Sequence, residues 1–366
     1  MIIRSASFRD LARIEQLYRE ATEDERHGAQ MTLDSPVPQA TLLRLWQALT
    51  KSLSSLVPIT DVSEEMLVAE DTKEGVVGFV QVQSLSVRPR SWQILNLCTS
   101  TTAHGHFARA ELLDGVRNRG LEHGVQRVHV RLPLDHPLLP VFLEHGYTQF
   151  ATEQILYRDQ AAAQPEPSVN SALIRPARRD DIAAIYLLYL RTTPSQVAAV
   201  EGPSLKTWQA GYAQGLVAGM GRDNVRHLVV ERPGVVAWAA IRPPTAAQPA
   251  SLSMMVEGHD PALRDAIIDA VLAELPSGPA SCVLRHYDSE LIRALQQRGF
   301  AVYGTQLLLI SELGEKVRIA APSRRKKPVL VQAGIARSVP SSSSSVPLRV
   351  LSTSTTTTRR QRSSSR

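Results

Sequence analysis

Internal repetition constrains this chain more than any local pattern. The opening IIRSASFRDLARIEQLYRE recurs from residue 173 as LIRPARRDDIAAIYLLYLR. At a constant offset Arg4 meets Arg175, Ala6 meets Ala177, Asp10 meets Asp181, Ala12 meets Ala183, Ile14 meets Ile185 and Tyr18 meets Tyr189. The far ends match too: LEHGYTQFATEQILY at 143–157 resembles LQQRGFAVYGTQLLLI at 295–310, with His145-Gly146-Tyr147 facing Arg298-Gly299-Phe300 and Thr152 facing Thr305. A unit duplicated at both ends implies two copies of one fold, and 366 residues suit two domains of ordinary size plus a terminal stretch.

The boundaries follow from composition. The first unit is expected over 1–159, the second over 171–312, with a Pro- and Ala-rich linker at 160–170. Residues 313–366 read as a disordered basic tail: Arg324-Arg325-Lys326-Lys327 is followed by runs of Ser and Thr, with too little apolar surface to offset the entropy of ordering. From Lys316 onward there are twelve Lys or Arg and no acid, so residues 1–315 carry 29 basic against 35 acidic side chains, and the folded part is mildly acidic despite the overall +6. The tail has no interleaved aromatics to stack on bases, which leaves only non-specific attraction to nucleic acid. Cys98 and Cys282, one per unit, match no disulfide or metal spacing, and the sequence shows neither a leader nor an apolar run of membrane-spanning length. A soluble, cytoplasmic protein is expected.

Within each unit the periodicities predict β-α-α-β-β-β-α-β-α-β. A short strand leads into a helix whose apolar face is Leu11, Ile14, Leu17 and Tyr18, or Ile182, Ile185, Leu188 and Tyr189. Asp10 and Asp181 fall near its start, where an acidic group suits exposed amides. Three strand-like runs follow (MLVAE, VVGFVQVQSL and WQILNLC; HLVVE, VVAWAAI and SLSMMV), with hairpin turns at Lys73-Glu74-Gly75 and Arg232-Pro233-Gly234. A helix is predicted over 109–122 and 261–275, then a strand, a helix ending at Gly146 or Gly299, and a last strand.

This order, with a helix ending in Gly-aromatic before the final strand, resembles the GNAT superfamily of acyl-CoA-dependent N-acyltransferases. The resemblance implies an α+β (α/β) fold of two tandem GNAT-like domains, each a splayed mixed β-sheet flanked by helices. It also implies acetyl-CoA as acyl donor, a small-molecule or peptide amine as acceptor, and a backbone-amide loop for the CoA pyrophosphate, since unpaired amides at a helix N-terminus favour an anion. Aligning Leu112-Leu113 with the family's Leu-Leu pair places His104, Gly105, His106, Phe107, Ala108 and Arg109 on that loop, with the strand through Leu97 and Cys98 pairing to the pantetheine arm. Phe107 and Arg109 stand where the family has its two key glycines. In the second unit the matching stretch, His259 to Arg264, has no glycine, and Pro261 removes a donor, so that unit is read as degenerate. The family's thiolate-protonating tyrosine is replaced by Phe142 and Leu295.

No catalytic residue is assigned. Glu23, Asp24, Glu25 and His27 are candidates for an acceptor base without fixed geometry. His104 and His106 read equally as phosphate contacts or as plain exposed histidines. Arg109 and Arg264 read as anion contacts or solvated helix residues; the resemblance puts Asp135 and Asp288 in the place of a family asparagine that helps position CoA, and a helix N-cap accounts for them without a ligand. Six of the ten histidines lie between His104 and His145, but their spacing fits no metal pattern, and no metal is expected. Trp46, Trp208 and Trp238 read as packing residues. The alternative to catalysis is a non-catalytic module that binds acyl-CoA or another protein through the same cleft.

Overall fold

The computed structural model describes residues 1–23, 64–84, 90–159, 174–202, 205–206, 208–209, 225–245, 249–258 and 260–314. The linker at 160–170, the basic tail beyond Gly314, Asp24, Glu25, His27, Trp46 and His259 lie outside them. The first half runs β1 (Ile2–Ser5), α1 (Leu11–Glu23), β2 (Glu64–Asp71), β3 (Gly75–Ser84), β4 (Ser91–Thr99), α2 (Ala103–Glu122), β5 (Arg127–Pro133), α3 (Leu139–Glu144) and β6 (Thr148–Arg158). The second runs β7 (Ile174–Pro176), α4 (Ile182–Thr192), α5 (Ser195–Glu201), β8 (Arg226–Glu231), β9 (Val235–Arg242), β10 (Ala250–Val256), α6 (Pro261–Ala273), β11 (Ala280–Arg285), α7 (Ser289–Gln296) and β12 (Ala301–Glu312).

The apolar periodicities place these elements. Leu11, Ile14, Leu17 and Ala21 of α1 pack against Met66, Val68, Phe79 and Cys98 on one face of the sheet. Ala108, Leu112, Leu113 and Val116 of α2 cover the other face over Val80, Ile94 and Leu97. The repeated Arg and Asp form the same clamp in both halves. Arg4 donates two hydrogen bonds to Asp10, at 2.7 and 2.8 Å, and a third to Glu70 at 2.6 Å. Arg175 does the same to Asp181, at 2.7 and 2.8 Å, and reaches Glu231 at 2.9 Å. Each aspartate also accepts a backbone N–H, from Ser7 and Arg178 respectively, which fixes the turn that launches α1 or α4.

The two halves share one twelve-stranded sheet in the order β1-β2-β3-β4-β5-β12-β6-β11-β10-β9-β8-β7. Sequence periodicity does not reveal how they join: their last strands are exchanged. β12, the end of the second half, pairs antiparallel with β5 of the first, while β6 pairs with β11 of the second. The exchanged strands pair with each other, Thr152 opposite Leu307, Glu153 opposite Gln306 and Gln154 opposite Thr305. Since Thr152 and Thr305 are equivalent in the repeat, a pseudo-twofold axis runs through the Glu153 and Gln306 pair. Both are buried, and the Gln306 amide donates to Glu153 Oε2 at 2.9 Å. Leu307, Leu309 and Leu313 thereby enter the first core and Leu156 the second.

Two stability consequences follow. The Arg4 guanidinium beside it holds the Asp10 carboxyl far below its ordinary 3.8. A depressed folded-state value contributes stability above pH 3.8 that is lost as the pH falls further. Asp10→Asn is expected to cost about 1–2 kcal/mol at pH 7, the modest end of the range because Arg4 is partly solvent-screened, and less at pH 3, by urea denaturation. Gln306→Leu, which leaves Glu153 without its amide donor at the axis, is expected to cost about 1–3 kcal/mol in the same assay.

Candidate functional site

Both halves part their sheet at the same place. β4 pairs in parallel with β5 only from Ser91 opposite Arg127 to Ile94 opposite Val130, after which β4 follows β3 alone. β10 pairs with β11 only over Ala250–Leu252. Leu95 is an extra residue in β4, since Gln81 faces Asn96 and Val82 faces Ile94. Such a bulge re-aims the strand where it leaves its neighbour. β10 stays in constant register with β9 throughout and has no counterpart.

At the first splay Leu97 and Cys98 are fully buried on opposite faces of β4, Leu97 toward α2 and Cys98 toward α1, so only their main chain can meet a ligand. Burial pushes the Cys98 thiol well above its usual range, which keeps it a protonated core residue. The 104–109 segment corrects the sequence reading: it is not a loop before the helix but the first two turns of α2, which starts at Ala103, six residues earlier than periodicity predicts. Thr102 is the N-cap, its hydroxyl accepting from the Gly105 amide at 3.2 Å. Gly105 is required by the turn itself, because a Cβ there would lie 2.0 Å from the Ser100 carbonyl oxygen. Ala108 is buried, whereas His106 and Phe107 face solvent.

The electrostatics of this mouth are mixed. Arg109 is half-buried, burial draws its guanidinium below its ordinary value, and its Nε donates to the Thr99 hydroxyl at 3.1 Å, with no carboxylate paired to it among the described residues. A desolvated cation next to the free amides of a first helical turn favours an anion. Against this, the β2–β3 hairpin brings two carboxylates to the same turn: Asp71 lies 3.1 Å and Glu74 3.9 Å from His104 Nδ1, and Thr102 donates to Glu74 at 3.1 Å. The acids thus reach this mouth both through His104 and directly at the Thr102 cap.

In the second half α6 opens on Asp260, whose carboxylate accepts from the Ala262 amide at 3.0 Å, and Pro261 offers no N–H. That mouth is capped from within the chain. Arg264 pairs with Glu290 rather than facing a ligand. Asp288 occupies the N-cap place of α7 but its side chain makes no capping hydrogen bond, and Asp135 is an exposed turn residue ahead of α3, whose N-cap is Leu138. The N-cap reading thus holds in position for Asp288 and is corrected for Asp135.

Phe142 is fully buried, edge-on to Tyr147 at 5.0 Å, and Leu295 is fully buried in the second core. Neither half presents a proton donor there. Trp208 packs on Tyr189 at 4.9 Å and Trp238 stacks on His227 at 5.8 Å. Among the described residues no group of three His, Cys, Asp or Glu converges on a common point, and no helix is long and apolar enough to cross a membrane.

Sequence reasoning missed a polar cavity of about 140 Å³ at the second splay, lined by Glu153, Glu201, Arg285, Asp288, Tyr189 and Tyr287 together with parts of Met254, Met255, Val283 and Leu284. The side chains of Glu153 and Glu201 are each only 6% exposed. Arg285 bridges them, pairing with Glu201 and approaching Glu153 Oε1 at 2.9 Å without good N–H alignment. The Tyr189 hydroxyl donates to Glu201 Oε2 at 2.7 Å. Burial lowers Arg285, and the two glutamates more than restore it. Burial also pushes Asp288 up to about 6 and Tyr287 up to about 12. A polar residue inside an otherwise apolar strand, Glu153 in TEQILY, was the available signal.

Solved structures share this architecture. A tandem GNAT protein from the clavulanic acid biosynthesis pathway aligns over 86% of this chain and 98% of its own, with a TM-score of 0.52 at 12% identity. A GCN5-related N-acetyltransferase from Sphaerobacter thermophilus aligns over 85% and 95%, with a TM-score of 0.55 at 14% identity. No family model and no curated protein sequence matches. The chain has a tandem-duplicated GNAT fold, and at such identities the likeness establishes the fold alone.

The tight β4–α2 turn is directly testable. Gly105→Ala is expected to destabilise the protein by about 3 kcal/mol or more, because backbone rather than a flexible side chain must move, and a thermal melt reads the loss.

Proposed function

We propose that the chain is an acyl-CoA-dependent N-acyltransferase whose first half binds acetyl-CoA and passes the acetyl group to a primary amine. The observation that carries this reading is the coincidence of three features at one point: the departure of β4 from β5 after Ile94, the bulge at Leu95, and the amide-bearing start of α2 beside the half-buried guanidinium of Arg109. In this reading the main chain at Leu97 and Cys98 pairs with the pantetheine arm. The turns from His104 through Gly105, His106, Phe107 and Ala108 to Arg109 face the pyrophosphate, with His104 set against Asp71. Known structures of this fold that carry acetyltransferase names support the donor class.

The neutral amine attacks the thioester carbonyl, the C–N bond forms, the C–S bond breaks, and the amine proton passes to water. With Phe142 and Leu295 buried, the thiolate leaves without a side-chain acid, a loss of about 10²–10⁴-fold in rate that a stable thiolate tolerates. The same burial favours a second reading, a non-catalytic module that holds acyl-CoA or a protein partner in the old cleft.

Calorimetric titration with acetyl-CoA, followed by a free-thiol assay over a panel of primary amines, separates the two. Saturable binding that weakens at least about tenfold in Arg109→Ala is expected, as loss of a charge-assisted phosphate contact requires. Binding without thiol release selects the non-catalytic module, and no binding removes the cofactor reading.

A further inference from the structure

We infer that Arg158, the last residue of β6, anchors a binding site for a small oxyanion, a carboxylate or a phosphate group, held end-on by its guanidinium. The site is separate from the proposed cofactor cleft and does not rest on it.

The observation that carries the inference is a buried cation without a counter-charge. Arg158 is only 7% exposed, its Nε is fully enclosed with no hydrogen-bond partner, and no carboxylate pairs with it among the described residues. Burial alone acts on its guanidinium and draws it below its ordinary value, whereas Arg4, Arg175 and Arg298, which meet aspartates, are all raised. Taking a cation out of water without an opposite charge is unfavourable, and buried charges are offset by a neighbouring or bound counter-ion. The acids of this region are engaged elsewhere. Asp159 follows Arg158 directly but, with Tyr157, lies on the other side of the strand, where it accepts from the Tyr157 hydroxyl. On α6, Asp265 and Asp269 hold Arg298, and Glu274 just beyond its end pairs with Arg226.

The surroundings hold the group in place and leave one edge to a ligand. Arg158 stands opposite Ala280, the first residue of β11, and its Cζ lies 4.9 Å from the centroid of the Phe300 ring. The ring takes up the guanidinium charge from one side but accepts none of the N–H groups that lie in its plane. Gly299, with a φ of +86°, turns the chain so closely past the Arg158 stem that a Cβ there would lie 3.7 Å from Cδ. With the stem and Nε enclosed, the two terminal nitrogens, which are not enclosed in this way, form the open edge, and their spacing matches two oxygens of a carboxylate or phosphate. The fold itself does not require this charge. In the first half the repeat puts Ser311 in the place of Arg158 and Tyr147 in that of Phe300, and Ser311 is buried opposite Val128 with no cation. The Arg-Asp clamps, by contrast, are present in both halves. A buried charge that duplication does not repeat points to a ligand rather than to the architecture.

Thermal-shift titrations of the full chain with inorganic phosphate and with acetate, each against chloride at matched ionic strength, test this. The melting midpoint is expected to rise saturably with at least one of the two anions, by mass action on the folded state, and the tighter of the pair identifies the group as phosphate or carboxylate. Arg158→Met, which keeps a side chain to pack on Phe300 and removes the charge, is expected to lose the saturable rise. Arg158→Gln, which keeps a polar end, is expected to weaken the apparent affinity at least about tenfold. Arg109→Ala is expected to leave the rise unchanged, whatever that variant does to acetyl-CoA. A rise that chloride reproduces, persistence in the Arg158 variants, loss in Arg109→Ala, or no saturable rise with either anion would each overturn the assignment.

Discussion

The exchange of β6 and β12 is the constraint on which the rest of the molecule depends. Neither half closes its own sheet: β5 is completed by β12 and β11 by β6, and each core takes leucines from the other half's last strand. A one-residue slip would turn every inward side chain of these strands outward, so the register needs a strong marker. Glu153 and Gln306 supply one. The Gln306 amide reaches the buried Glu153 carboxylate only when the two are opposite, and misalignment would remove that donor from a buried charge. Their asymmetry also matters, because two glutamates facing each other at an exact dyad would bury like charges.

Duplication has preserved what builds the fold and released what a ligand would touch. The Arg-Asp clamp that starts α1 and α4 is the same in both halves to within a tenth of an ångström. The helix mouths differ in nearly every chemical respect. α2 begins on a threonine cap with a glycine pressed against Ser100, whereas α6 begins on an aspartate cap and a proline. The first splay carries a bulge and the half-buried Arg109, while the second has regular register and a buried cluster of Glu153, Glu201 and Asp288 around Arg285. An anion is favoured at the first by Arg109 and free amides; nothing comparable survives at the second.

Element order was legible because apolar periodicity is dense here: the Leu11, Ile14 and Leu17 stripe and its copy at Ile182, Ile185 and Leu188 are buried as read. The start of α2 was not, since Ala103 to Phe107 contains no large residue that packs in the core, and the helix is declared only by the Thr102 cap and the buried Gly105. Strand exchange leaves no trace in periodicity, because β6 and β12 bury the same faces whichever half they join. The Glu153, Glu201 and Arg285 cluster was illegible for a different reason. Its members come from a strand, a helix end and another strand far apart in the chain, and only the exchanged topology brings them together.

That topology also makes the two clefts physically dependent. Glu153 lies between Arg131, on the β5 lip of the first splay, and Arg285, on the β11 lip of the second. A carboxylate with such low exposure is screened weakly by solvent, so its field is shared between the two guanidiniums rather than dissipated. The buried pair at the axis therefore marks the register of the sheet, and its one carboxylate is shared by guanidiniums from both halves.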